Sequence, residues 1–430
     1  MSTANPTERT AADCAVQRTG SIAYLVSRYP AVSHTFILRE VQGLRAQGLR
    51  VEVASVNAPD RHVAQMTPDE RDEAGATYGL KQHGVRGALV ALAWGAATRP
   101  VALARTLRDA MGLGRGLKRL YALAYAVEAL MVVRWMSQRG LRHLHVHFGN
   151  EAAAVGLLVK TLSGAGLSLT IHGPDEFDDV PGQCLRRKIE RADQVVCISQ
   201  FARSQLMRLT APVHWAKIRL CRLGVDPSHF APSARTREPG PVRLLSVGRL
   251  TPAKGQWLLI QACAALRRAG VDFELTLVGD GPDRAALTAA TAREGLQGRV
   301  HFTGSLNQVQ VRAELARADV FVLPSLAEGI PVVLMEAMAS GVPCVTTPVN
   351  GIPELIEHDR HGLLATPGDV DALTLQLRRL IQDDGLRQRL AVAGRGQVDQ
   401  RFHLGRNVAD LATILQALPA VQALPLGQGV

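Results

Sequence analysis

At 430 residues, with 47% hydrophobic and 20% charged side chains, the chain is long for a single hydrophobic core and suits two soluble α/β domains. Aromatic residues make up only 4%, which argues against a stacking-based binder of single-stranded nucleic acid, and the net charge of +11 is unevenly placed. Six scattered cysteines (Cys14, Cys184, Cys197, Cys221, Cys263 and Cys344) form no CxxC or Cys/His cluster, a pattern that suits a reducing compartment and provides no zinc centre.

The first twenty residues are polar and lack an apolar core, so they are expected to form a disordered tail rather than a signal peptide. "SIAYLVS" (21–27) then reads as a buried strand. After the loop "RYPAVSHT", Phe36, Ile37, Val41 and Leu44 recur at helical spacing, Gly48 ends that helix, and "LRVEVASV" (49–56) is a second strand. This βαβ unit implies a parallel sheet.

Residues 81–142 break that rhythm. Eleven Lys and Arg residues there face only Asp109 and Glu128, so most of the excess positive charge lies in this segment. Its apolar stretches, "ALVALAWGAA" and "LYALAYAVEALMVVRWM", are broken by charge and short for spanning a bilayer. Two readings stay open: a helical insertion packed on the sheet, or a surface resting on anionic lipid headgroups with Trp94, Trp135 and neighbouring arginines at the interface. No recognisable nucleic-acid module accompanies the charge, so a nucleic-acid partner is not expected.

"HLHVHFG" (143–149), "SLTIHG" (168–173) and "ADQVVCISQFARSQLM" (192–207) extend the first sheet. Residues 232–241, rich in Pro, Ser, Arg and Gly, read as a linker. A second α/β series follows. The predicted architecture is two Rossmann-like, doubly wound domains, 21–235 and 236–405, facing an interdomain cleft. A final helix within 406–430 is expected to pack back on the first domain. In such sheets ligands bind beyond the carboxyl ends of the strands, which makes the cleft the expected site.

Three stretches carry chemistry. In "SVGRLTPAKG", Arg249 and Lys254 follow the first strand of the second domain, where two cations either grip a diphosphate or sit solvated on a loop. The Gly spacing is not that of a P-loop. "VGDGPDR" (278–284) lacks the third glycine of a dinucleotide fingerprint. In "SLAEGIPVVLMEAMASGVPCV" (325–345), Pro331 suits the start of a helix, with Glu328 on the loop before it and Glu336 in its second turn. Carboxylates beside unpaired helix amides fit a hydroxyl-rich ligand, although an exposed Glu on an amphipathic helix is the plain alternative. Asp175, Asp178 and Asp179 in "GPDEFDD" read as capping and loop residues, and no metal is expected.

Taken in order, "GRLTPAKG", "VGDGP", "EGIPVVLMEAMASGVPCV" and "GIPELIEHDRHGLLATPGD" resemble the donor half of the family-4 retaining glycosyltransferases, which have the GT-B fold. "YPAVSHTFILRE" and "LTIHGPDEF" are similar to the bacterial exopolysaccharide, colanic-acid type, branch, except that His34 stands where that branch has Glu. The resemblance implies that Arg249 and Lys254 bind the donor diphosphate and stabilise the leaving group. It implies that Glu336 holds the ribose and that Glu328 with the Gly329 and Ile330 backbone faces the donor sugar. His172 would reach the transferring sugar, and Ser33, His34 and His147 would lie toward the acceptor; His145 and His147 could equally be structural.

The implied reaction is metal-independent transfer, with retention, from a UDP- or GDP-sugar to a polysaccharide or lipid-linked saccharide. It needs no cofactor and would take place in the cytoplasm on the anionic inner face of the membrane. A nucleotide-sugar epimerase, a phosphorylase, or a membrane-surface binding protein with a degenerate site are the alternatives.

Overall fold

A computed structural model describes residues 20–31, 34–113, 118–230 and 240–422. Ser33, the expected N-terminal tail up to residue 19 and most of the expected linker lie outside the described residues. Two parallel sheets form the molecule. The first holds β1 (Ser21–Arg28), β2 (Arg50–Asn57), β3 (Tyr78–Gly79), β4 (His143–His147), β5 (Gly166–Ile171), β6 (Gln194–Cys197) and β7 (Ile218–Leu220), in the order β3-β2-β1-β4-β5-β6-β7. The second holds β8 (Val242–Val247), β9 (Phe273–Val278), β10 (Val300–Gly304), β11 (Val320–Leu323), β12 (Cys344–Thr346) and β13 (Leu363–Leu364), ordered β10-β9-β8-β11-β12-β13. In each sheet the chain works outward from a first strand and then jumps back to that strand's other side. This reversal opens a crevice beyond the carboxyl ends of β1 and β4, and of β8 and β11.

The basic segment occupies the long connection from the edge strand β3 to β4. Its helices are Gly84–Thr98, Pro100–Met111 and Lys118–Arg139. Ala126, Ala129, Leu130 and Val133 on the last of these pack into the same buried cluster as Leu25, Leu144 and Val146 of the sheet. One face of the segment is therefore core. Trp135, which the lipid reading places at the interface and the packing reading does not, is 5% exposed and stacks on Tyr78 with ring centres 5.5 Å apart. An indole at a position that faces the sheet buries its area against neighbouring rings rather than a membrane. Trp94 is half-buried, with the Arg99 guanidinium 5.8 Å from its ring centre.

The chain passes between the domains at two adjacent places. Val225 and Phe402–Leu404 run side by side, with Val225 N–H donating to Phe402 O at 2.9 Å and Leu404 N–H to Val225 O at 2.9 Å. A Cβ on Gly224 would lie 2.7 Å from both Leu404 N and Phe402 O, so only glycine allows this approach. The helix Leu404–Gln416 then packs on the helix Thr35–Ala46. Val408, Leu411 and Leu415 share a buried cluster with Ile37, Val41 and Leu44.

Candidate active site

Between the two sheets lies a cleft of about 710 Å³. Its second-domain wall is made by strand-end loops held close by glycines. Gly279 adopts φ +133°, and a Cβ there would lie 2.0 Å from Gly248 O. Gly255 adopts φ +68°, and a Cβ there would lie 2.0 Å from Pro324 O. These approaches bring the β8, β9 and β11 loops to one rim. Arg249 stands exposed there, without a carboxylate partner among the described residues. Lys254 Nζ donates to Glu328 Oε1 at 2.5 Å, and Ser325 Oγ donates to the same oxygen at 2.8 Å. Glu328 is thus fixed in place by a hydroxyl and an ammonium.

Pro331 is the N-cap of the helix Val332–Ala339 rather than its first residue, because its ψ of 121° is extended. The helix start lines the cleft, where free amides carry partial positive charge. Glu336 lies in its second turn and crosses the cleft: Arg39 of the first domain donates to its Oε1 at 2.9 Å, and Gln308 Nε2 to the same atom at 3.4 Å. Burial pushes the Glu336 carboxyl above the ordinary range, against the opposing pull of Arg39 and Arg312.

The first-domain wall carries a patch of neutral rings, flanked by the ionisable Asp60, Arg61, Glu70, Asp175 and Glu176. His34, Phe36, Phe148 and His172 line it, with the Phe148 and His172 ring centres 4.5 Å apart and Phe36 and His172 4.9 Å apart. Burial, reinforced by neighbouring imidazoles, holds His172 well below its usual range, so the ring is neutral. Behind it sits a hydrogen-bonded row. His147 Nδ1 is 2.9 Å from His172 Nε2, His147 Nε2 is 3.1 Å from Glu40 Oε1, and Tyr24 OH donates to Glu40 Oε1 at 2.8 Å. His147, expected either on the acceptor side or in a structural role, is fully buried and lies beneath the wall, hydrogen-bonded to the cleft-lining His172. His34 does line the cleft. The Nδ1 atoms of His34 and His172 are both buried and lack a hydrogen-bond partner among the described residues. A buried polar atom left so costs about 1–3 kcal/mol, which marks this wall as built for a polar ligand.

Glu40, His145 and His147 lie close enough to suggest a metal cage, their ligand atoms all within 4.8 Å of one another. Their nitrogens are already committed, however: His145 Nδ1 to Ser168 Oγ at 2.7 Å, His145 Nε2 to Thr170 Oγ1 at 2.9 Å, and both His147 nitrogens as above. The group is a hydrogen-bond network with each partner supplied by the protein.

Two glutamates of the site escaped sequence reasoning. Glu176 accepts the backbone N–H groups of His172 at 2.6 Å and Gly173 at 2.9 Å, together with that of Gly149, and so holds the loop that carries His172. Burial pushes its carboxyl up to about 7, although the three amides pull the other way. Glu40 lies three residues after Ile37 and four before Leu44, on the buried face of its helix. A carboxylate within an apolar stripe was the available signal. Arg39, beside it, shows its role only once the two domains meet. The halves touch directly at Gly329, where a Cβ would lie 2.3 Å from His172 O.

Two Rossmann-like domains, with this cleft of cations and carboxylates facing neutral imidazoles, define a GT-B protein. The sequence matches the family described as "Glycosyltransferase Family 4" over residues 33–229 and that described as "Glycosyl transferases group 1" over residues 231–397. It is 32% identical to the amylovoran biosynthesis glycosyltransferase AmsK of Erwinia amylovora, over 92% of this chain and 99% of that one. It is 28% identical to the putative colanic acid biosynthesis glycosyltransferase WcaL of Salmonella typhimurium, over 92% and 100%. Among solved structures, sucrose-phosphate synthase of Thermosynechococcus elongatus superposes with a TM-score of 0.71 at 20% identity, covering 92% of this chain and 98% of that one. Anabaena HepE in complex with UDP and glucose does so at 0.70 and 19%, covering 93% and 100%. The chain belongs to the family-4 glycosyltransferases and has their GT-B fold.

Proposed function

We propose that this glycosyltransferase moves a sugar, with retention and without a metal, from a UDP- or GDP-sugar to a saccharide acceptor of exopolysaccharide assembly. The relatives named for amylovoran and colanic acid support that setting. The observation that carries the reading is the asymmetry of the cleft, with Arg249 and Lys254 on one wall and neutral His172 on the other. As the glycosidic C–O bond breaks, charge develops on the diphosphate, and two cations at a strand end stabilise it. Glu336 is placed to accept hydroxyl hydrogens from the ribose, taking over from Arg39. Gly329 and Ile330 offer backbone to the sugar.

Glu328 is already held by Lys254 and Ser325, which suits a positioning group better than a free nucleophile. Retention then follows from same-face transfer, in which the departing phosphate takes the acceptor proton. Turnover of UDP- and GDP-sugars, with and without a lipid-linked acceptor extract and with EDTA present, tests the whole reading. Neither turnover nor binding in any series would overturn it, and loss of turnover with EDTA would overturn the metal-independent part.

We infer also that the basic segment seats the enzyme on an anionic membrane surface, on the cytoplasmic face. Val85 and Leu89, one turn apart, are 76% and 61% exposed, and Val101 on the next helix is 63% exposed, with Arg86 and Arg105 close in sequence; Tyr121 on the third helix is 65% exposed. Exposed apolar and cationic side chains together suit the headgroup region. No helix among the described residues is long and apolar enough to cross a membrane. Vesicle flotation should therefore depend on anionic lipid, and equal binding to neutral vesicles would reject the electrostatic component.

A further inference from the structure

We propose that Glu40 and His147 are positioning residues that set the tautomer of His172, leaving its Nδ1 as a bare acceptor for a hydroxyl of the transferring sugar. The inference rests on the reading of the cleft as a sugar-donor site. It starts from the one group in the row whose hydrogen-bonding sense is fixed. An ionised carboxylate only accepts. Glu40 Oε1 receives the Tyr24 hydroxyl at 2.8 Å and lies 3.1 Å from His147 Nε2, so that nitrogen carries the hydrogen.

In the arrangement we propose, the His147 ring carries that one hydrogen, and Nδ1 is then an acceptor. The 2.9 Å contact to His172 requires the hydrogen to come from His172 Nε2. His172 is itself neutral, so its remaining nitrogen, Nδ1, holds a lone pair. That atom is buried, has no protein partner among the described residues, and belongs to a residue lining the cleft. A bare ring nitrogen takes a hydroxyl hydrogen and offers nothing to a carboxylate.

The surroundings keep the row in this sense. His145 stacks edge-on against His147 at 5.1 Å, and Tyr24 packs on both rings at 4.7 Å and 5.4 Å. Phe36 and Phe148 pack against the ring of His172 at 4.9 Å and 4.5 Å, and Glu176 pins its backbone. Glu40 and Arg39 are neighbours on the helix Thr35–Ala46. One helix therefore reaches both the imidazole wall and, through Glu336, the donor wall.

The direct test is the nitrogen spectrum of the full-length protein labelled with 15N-histidine, with the His172 signals identified by their loss in His172→Gln. His172 should be protonated at Nε2 and bare at Nδ1. A proton on Nδ1, or an imidazolium at His147, would overturn the proposal without any appeal to activity. In Glu40→Leu the preference should collapse to a mixture of tautomers. The affinity for UDP should stay within two-fold, while kcat falls about ten- to a hundred-fold, the usual loss when the partner orienting a functional histidine is removed.

Glu40→Gln keeps an acceptor oxygen for Tyr24 and His147 and should recover most of that loss. Equal losses in the Leu and Gln variants, or an unchanged spectrum in Glu40→Leu, would reject the relay. Should Glu40→Leu fail to fold, the wild-type spectrum and the Gln variant still decide. Failure of wild-type protein to bind UDP would instead strike at the donor-site reading, leaving the tautomer measurement intact.

Discussion

The two sheets share a topology and meet across one cleft, yet their carboxyl ends are chemically opposite. At the end of the first, beside Asp60, Arg61 and Asp175, lies a patch of packed, uncharged rings from His34, Phe148 and His172, with polar partners buried behind them. At the end of the second lie Arg249, Lys254, Glu328 and Glu336, on loops drawn together by glycines. A fold that places a ligand at its strand ends does not dictate what meets the ligand there. The difference suits the glycosyl transfer we propose, in which the charged wall receives the leaving diphosphate and the neutral rings the sugar that moves.

The comparison breaks most severely at the charged wall. Lys254→Ala removes both a diphosphate cation and the partner of Glu328, and should lower kcat/KM about a thousand-fold, the scale of losing one preorganised group that meets developing charge. Steady-state kinetics on the turned-over donor measure this, and a loss under ten-fold would remove Lys254 from leaving-group stabilisation. Next comes the seam between the walls. Gly329→Ala puts a methyl group 2.3 Å from His172 O, forcing the halves apart where they touch. We expect kcat to fall about a hundred-fold with the melting temperature nearly unchanged, since small misplacements at a reacting centre are that costly.

Glu336→Gln sharpens the contrast on the donor side. Losing the charged acceptor should raise the donor KM about ten-fold with little change in kcat. Because burial raises this carboxyl, wild-type donor affinity should weaken as pH falls, starting above the pH at which an ordinary glutamate is protonated. The glutamine variant should lack that dependence, and a parallel pH profile would assign the effect elsewhere.

The smallest effect belongs to stability and to the neutral wall. Burial lowers His143 to about 4 and holds His145 and His172 well below their usual range. Between roughly pH 6.5 and 4 the unfolded chain binds protons at these sites that the folded chain refuses, so stability is lost as pH falls through that window. Urea midpoints should drop from pH 7.5 to pH 5, and His143→Gln should reduce the slope. A midpoint indifferent to this substitution would show that other groups govern the acid limb.

Legibility divided along the same line as the chemistry. The second wall is built from contiguous stretches: the cations of "GRLTPAKG" and the carboxylates of "EGIPVVLME" stand a few residues from the strand ends that position them. Local sequence therefore carried their placement, missing only that Lys254 and Glu328 pair and that Arg39 meets Glu336. The first wall is assembled from separate elements. His172 was legible through the family resemblance of "LTIHG", but Glu40 looked like one more helix residue, and His147 stood between an acceptor-side and a structural reading until the fold buried it beneath the wall. The basic segment was partly readable. Its charge stood out, whereas its role as the crossover from β3 to β4 required knowing that β2 and β1 lie between those strands in the sheet.

By itself the sequence determined what periodicity and local chemistry can encode: two parallel-sheet domains, the cleft between them, and the charged strand-end loops of the second. Only the tertiary structure decided which side chains share a hydrogen bond across long separations. Glu40 and His147 are 107 residues apart, and Arg39 and Glu336 are 297 apart. No local pattern records such distances, because the energy of each pair exists only once the burial that surrounds it has formed.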